Sequence, residues 1–145
     1  MKLSDSGLNF IAGQEGFSAT PYVDAQGHSI GYGHFILPGE LGNTIVPPLT
    51  EAQALTLLNQ DAGIAEAAVN NLVTVPLSQG QFDALVDFVY NEGQTHFANS
   101  TLLRLLNSGD YSGAAAQFPV WNMSSGAVNP DLVARRLAEQ QTFLS

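Results

Sequence analysis

The sequence predicts an α+β fold that is mostly helical, with a small N-terminal lobe built on a β-hairpin sheet and a long helix running to a helical C-terminal lobe. Three observations predict it. Turn and strand signals crowd into residues 17–36, where Pro21, Gly27, Gly31 and Gly33 separate short apolar or aromatic pieces. Beyond that stretch, apolar residues recur at helical spacing behind recognisable cap sequences. Finally, 45% of the 145 residues are apolar, enough to bury the core of one domain or of two small lobes.

The elements follow in order. Residues 5–15 come after a Ser-Asp-Ser cap cluster and place Leu8, Ile11 and Ala12 on one helical face, with Gly16 as the stop. Residues 17–36 read as a twisted hairpin or meander, and 37–48 as a loop rich in Pro and Gly. Thr50 and Gln53 form a capping box that opens a long helix reaching about Asn71, a length suited to a connector. A second box, Ser78 with Gln81, opens a helix carrying Phe82, Leu85, Val86 and Val89. Further helices start at Asn99-Ser100-Thr101, ending near Gly109, and at Tyr111, closed by Pro119. Asn129-Pro130, a cap followed by proline at the first helical position, opens the last one. The expected organisation is a single domain over 1–145. Its N-terminal lobe covers about 12–55, its connecting helix about 51–71, and its helical lobe about 72–145 plus the first helix.

Composition narrows the function. The chain has no cysteine, which removes thiolate nucleophiles and Cys-ligated metals. Its histidines, His28, His34 and His96, lack metal-ligand spacing, so neither a metal nor another cofactor is expected. The net charge is −9, and the only cations are Lys2, Arg104, Arg135 and Arg136. Nucleic acid and anionic membrane surfaces are therefore poor partners. No apolar run reaches the eighteen residues that a membrane span needs, and the N-terminus lacks the apolar core of a signal peptide. A monomer without membrane insertion is expected.

Two acids stand out. Glu15 falls in the last turn of the first helix, at the negative end of the helix dipole, which disfavours its ionised form. Asp24 falls nine positions later, in a solvent-facing turn. Glycoside cleavage needs such a pair: one protonated acid for the leaving oxygen, and one carboxylate to activate water or stabilise the cationic transition state. Two acids near turns are also common surface groups, so spacing alone leaves both readings open.

Around those acids the segments Glu15-Gly16, Tyr22-x-Asp24 and Ile30-Gly31-Tyr32-Gly33-His34 strongly resemble the phage-type lysozymes (endolysins) of glycoside hydrolase family 24. The likeness continues through Leu58-Asn59-Gln60-Asp61, Phe82-Asp83-Ala84-Leu85, Asn91-x-Gly93 and Phe97-x-Asn99-Ser100-Thr101-Leu102-Leu103. It closes with Phe118-x-x-Trp121 and Leu132-x-x-Arg135-Arg136-x-x-Glu139, so that it covers about 130 residues.

The resemblance implies a lysozyme-like fold and a muramidase acting on the β-1,4 bond between N-acetylmuramic acid and N-acetylglucosamine in peptidoglycan glycan strands. It implies Glu15 as general acid and Asp24 as second carboxylate. Ser29 stands where the family has threonine, keeping the hydroxyl, and the turn from Asp24 to Ser29 is one residue shorter than the common pattern. It implies that His34 pairs with Asp61 and ties the two lobes together, and that Arg135 orients Glu15. A plain contact from Arg135 to Glu139, one helical turn on, is the simpler alternative. Asn91 and Trp121 match substrate-binding positions, and His28 and Tyr32 lie where they could reach a sugar. Tyr22, Tyr32 and Phe35 also read as hairpin packing.

Family precedent favours inversion; retention stays open until the carboxyl separation is known. Two alternatives remain: a lytic transglycosylase using Glu15 alone, and a non-catalytic wall-binding or virion module on the same fold. The acidic charge would oppose an anionic wall at low salt, which suggests a saline habitat or a delivered enzyme. Such a chain would wait in the host bacterial cytoplasm until released, or arrive with a virion.

Overall fold

The computed structural model describes all residues, Met1–Ser145. The chain divides into two compact units, one of Leu8–Gly63 and one of Met1–Gly7 with Ile64–Ser145.

The Leu8–Gly63 unit holds most of helix α1 (Asp5–Glu15), three strands and helix α2 (Glu51–Asp61). Strands β1 (Ser18–Asp24), β2 (Gly27–Gly31) and β3 (His34–Phe35) form an antiparallel sheet in the order β1-β2-β3. The register pairs Tyr22 with Ser29, Val23 with His28 and Asp24 with Gly27, so only Ala25 and Gln26 turn the first hairpin. A small core forms from Ile30, Ile45 and Leu49, with Ile36 and Leu57 packed on it. Gly31 is required here. It holds a φ of +68°, and a Cβ on it would come within 3.1 Å of the Ala54 Cβ, so the bare backbone lets β2 lie on α2.

The second unit is helical. It contains α3 (Gly63–Leu72, from Ile64 on), α4 (Gln79–Glu92), α5 (Gln94–Ala98), α6 (Thr101–Asn107), α7 (Tyr111–Gln117) and α8 (Pro130–Leu144). Helix α4 is its axis: every residue from Phe82 to Val89 is buried. The Phe88 ring meets Phe97, Phe118 and Trp121 at centroid distances of 6.2, 5.7 and 5.4 Å, with the rings edge to face. The N-terminal residues are tied into this unit. Ser4 Oγ caps α1 by accepting from Gly7 N at 2.9 Å, and Ser4 also bonds Asp83 through both its amide and its hydroxyl.

Both predicted capping boxes form, at Thr50–Gln53 and Ser78–Gln81. The expected helix over 51–71 is instead two helices, α2 and α3, interrupted at Ala62 just before Gly63. Gly63 supplies the physical reason, since glycine has the most backbone freedom to lose in a helix. The expected first-helix assignment also changes: past Gly7, α1 belongs with the sheet rather than with the helical unit. A tight hairpin of β4 (Met123–Ser124) and β5 (Ala127–Val128) precedes α8.

Candidate active site

Sequence places both candidate acids at the ends of regular elements of the Leu8–Gly63 unit. Glu15 ends α1 and is half-buried. Its carboxylate lies over the backbone of Gly33, whose φ is +85°; a Cβ there would stand 3.5 Å from Glu15 Oε2. Asp24 ends β1 and is exposed.

The short turn from Asp24 to Ser29 closes well. Ser29 is buried and donates its hydroxyl to Asp24 Oδ2 at 2.6 Å. The amides of Gln26 and Gly27 donate to Oδ1 at 2.9 and 3.1 Å, an Asx-type turn that the sequence Asp-Ala-Gln-Gly favours. The Ser29 bond and the backbone bonds hold the Asp24 carboxyl below its ordinary pKa. Asp24 is thus an ionised group clamped at both oxygens.

Tyr22 is 37% exposed, more open than hairpin packing alone would leave it. Its phenol is raised above its usual pKa by burial and then by the charges of Asp24 and Glu15. Both carboxylates act on this one phenol. Tyr32 packs on Phe17 at 5.4 Å, and His28 is exposed beside the turn.

His34 is brought onto Asp61, with Nδ1 at 2.8 Å from Oδ2. Both residues lie inside the Leu8–Gly63 unit, so the pair joins the sheet to the end of α2 and does not link the two units as expected. Glu40 is a second partner that the sequence reading missed, at 3.1 Å from Nε2. Desolvation pulls the His34 pKa down, but the bonds to Asp61 and Glu40 outweigh it and raise the pKa above its ordinary value. An imidazole facing a carboxylate on each nitrogen satisfies both only as the doubly protonated cation. Burial raises the Asp61 carboxyl even though the His34 cation works the other way. The amide of Leu37, donating at 2.6 Å, is the main cause of a lowered Glu40 pKa. The Leu-Pro-Gly-Glu turn was the available signal.

A concavity of about 570 Å³ in the same unit is lined by Glu40, Val46, Leu49, Gln53, Leu57 and Gln60 among others, and neither Glu15 nor Asp24 lines it.

In the helical unit, Arg135 grips Asp87 with Nε at 3.0 Å and Nη2 at 2.7 Å. Glu139 meets Arg136, one residue closer than the i,i+4 spacing considered for Arg135. Glu139 accepts from Arg136 at 2.8 Å, because Arg136 is the arginine turned fully inward. Arg136 also donates to Glu92 at 2.7 Å and to Asn91 Oδ1 at 2.7 Å, and lies 5.0 Å over the Phe88 ring. Burial, then the bond and charge of Asp87, push the Glu139 carboxyl up to about 10. As a carboxylate, Glu139 would leave Oε2 buried without a partner. As a neutral acid, that oxygen carries a proton for Asp87, and the orphan disappears. Trp121 is half-buried, set against Phe88 and tilted 5.9 Å from His96.

A helix-end acid beside a hairpin that clamps a second carboxylate through a serine hydroxyl is an arrangement built for acid-assisted bond cleavage. The model of the phage lysozyme family matches residues 12–139, and the chain belongs to that family. It is 41% identical to the endolysin of Bacillus phage PZA over 150 residues, an alignment that takes in 100% of this chain and 56% of that protein's length. The fold matches the crystal structure of a point mutant of P22 lysozyme with a TM-score of 0.87 and 35% identity, covering 100% of this chain and 99% of the other. It matches the muramidase domain of SpmX from Asticaccaulis excentricus equally well, with a TM-score of 0.87, 34% identity, and 99% and 98% of the two chains covered.

Proposed function

We propose that the chain is a muramidase that hydrolyses the β-1,4 bond between N-acetylmuramic acid and N-acetylglucosamine in peptidoglycan. The observation that carries this reading is Asp24, clamped by Ser29 and the turn amides, in the same unit as the helix-end Glu15. Glu15 delivers a proton to the glycosidic oxygen as the bond breaks. Asp24, held by Ser29, orients a water molecule and stabilises positive charge on the sugar ring. Three bonds to its two oxygens fix Asp24 without using all their lone pairs, so one more donor can be accommodated.

The membership in the phage lysozyme family and the muramidase among the solved relatives support the substrate class. Asn91 and Trp121 contribute contacts to the glycan, with His28 and Tyr32 beside the acids. Arg135, assigned by the family resemblance to the support of Glu15, is fixed at its own end by Asp87. No helix is long and apolar enough to cross a membrane. Release to the wall from the host cytoplasm, or delivery with a virion, fits that property.

The deciding experiment is product analysis on purified peptidoglycan, wild type beside Glu15→Gln. Wild type should release reducing ends, and the variant should lose at least about a thousandfold in rate while melting like wild type. A 1,6-anhydro product would convert the reading to a lytic transglycosylase. Undiminished lysis by Glu15→Gln would sink the assignment altogether.

A further inference from the structure

Asn91 is exposed at the C-terminal end of α4, yet its side chain is not free to rotate. Arg136 Nη2 sits 2.7 Å from Oδ1. A guanidinium has only donors, so the atom facing it must be the amide oxygen, whatever the two ends of the amide look like. The Nδ2 end is therefore directed away from Arg136 with both hydrogens available for other partners. Arg136 is itself immobile: fully buried, bonded to Glu92 and Glu139, and seated on Phe88.

The same Phe88 ring seats the half-exposed Trp121, which is tilted against the exposed His96. A fixed amide donor and an aromatic surface thus share one buried anchor. Sugars are recognised by that combination: ring C–H faces lie on aromatics, and polar substituents meet a few fixed donors or acceptors. The polarity of the fixed group narrows the target. A hydroxyl is served equally well by an acceptor, whereas a carbonyl needs a donor.

We propose that Asn91 is a specificity residue for the acetamido group, donating from Nδ2 to the carbonyl oxygen of an N-acetyl substituent on the glycan. This rests on the glycan-cleaving reading above and deepens it. Arg136 sets the polarity, and Asn91 makes the contact.

The test is a cycle between residue and substrate. Rates are measured for wild type, Asn91→Asp and Asn91→Ala on purified peptidoglycan and on the same material after N-deacetylation. Asp keeps the acceptor that Arg136 requires and deletes the donors, and the negative charge it adds faces the Arg136 guanidinium, so Asn91→Asp should melt close to wild type. Wild type should lose about tenfold in kcat/KM on the deacetylated wall, mainly through KM. Asn91→Asp should lose a similar factor on the acetylated wall and show no further loss on deacetylation. Asn91→Ala gives the same readout without an added charge and serves if the Asp variant folds poorly. Full activity of either variant on acetylated wall, or penalties that simply multiply, would overturn the proposal. Wild type inactive on every wall would instead refute the hydrolase reading, a different outcome from an active enzyme without coupling.

Discussion

The two units hold their charged groups in opposite ways. In the Leu8–Gly63 unit the acids stay in reach of water, and Asp24 is kept ionised by three hydrogen bonds rather than by a cation. In the helical unit Asp87, Arg135, Arg136 and Glu139 are sealed from solvent and held by each other, with one proton retained on Glu139. The first arrangement leaves a carboxylate free to meet a substrate. The second pairs Arg135 with Asp87 and Arg136 with Glu92 and Glu139 inside the unit.

Arg136→Ala should break this contrast most violently. It strands Glu92 and a polar pocket inside the core and should cost about 3–5 kcal/mol of stability, read by denaturant melts. Glu15→Gln, by contrast, should remove lysis and leave the melt close to that of wild type.

Ser29→Ala sharpens the chemical side. Its hydroxyl is the largest cause of the lowered Asp24 pKa, so its removal lets that pKa rise. The acid limb of the pH–rate profile should move to higher pH, with roughly a tenfold loss at mildly acidic pH and little change on the alkaline side.

The His34 clamp tests whether the small unit relies on charge at all. Because the folded pKa of His34 is raised, its stabilisation is complete below the ordinary histidine pKa and is lost as pH rises through the folded value. Thermal melts should show about 1 kcal/mol less stability on the alkaline side, and Glu40→Gln should shrink that step.

The smallest effect is expected from Glu139→Gln. A neutral acid is replaced by a neutral amide, so stability at neutral pH should change by less than about 1 kcal/mol. A large loss would mean that Glu139 is ionised after all.

Much of the fold was legible because its signals are local. The Thr50 and Ser78 boxes and the Asn129-Pro130 start all cap helices where expected. The break at Ala62 was not, since one glycine in an Ala-rich run reads as a tolerated helix residue. At the site, Glu15 and Asp24 stood out by their positions and Ser29 through the family resemblance, and the structure adds how Asp24 is clamped. Glu40 and Arg136 could not be assigned partners. Glu40 reaches His34 across a loop, and nothing in Arg135-Arg136 tells which of the two buried arginines meets Asp87 and which meets Glu139.

The sealed cluster has a colloidal consequence. With Glu139 neutral, the charges of Arg135, Arg136, Asp87 and Glu92 cancel among themselves, so apart from the buried Glu66 and Asp83 the chain's negative excess resides on its outer surface. Of the four cations, only Lys2 and Arg104 face solvent. An approaching polymer therefore meets an almost unrelieved polyanion wrapped in its own cloud of counter-ions. The ionic strength of the medium, more than any single residue, sets how often that encounter succeeds.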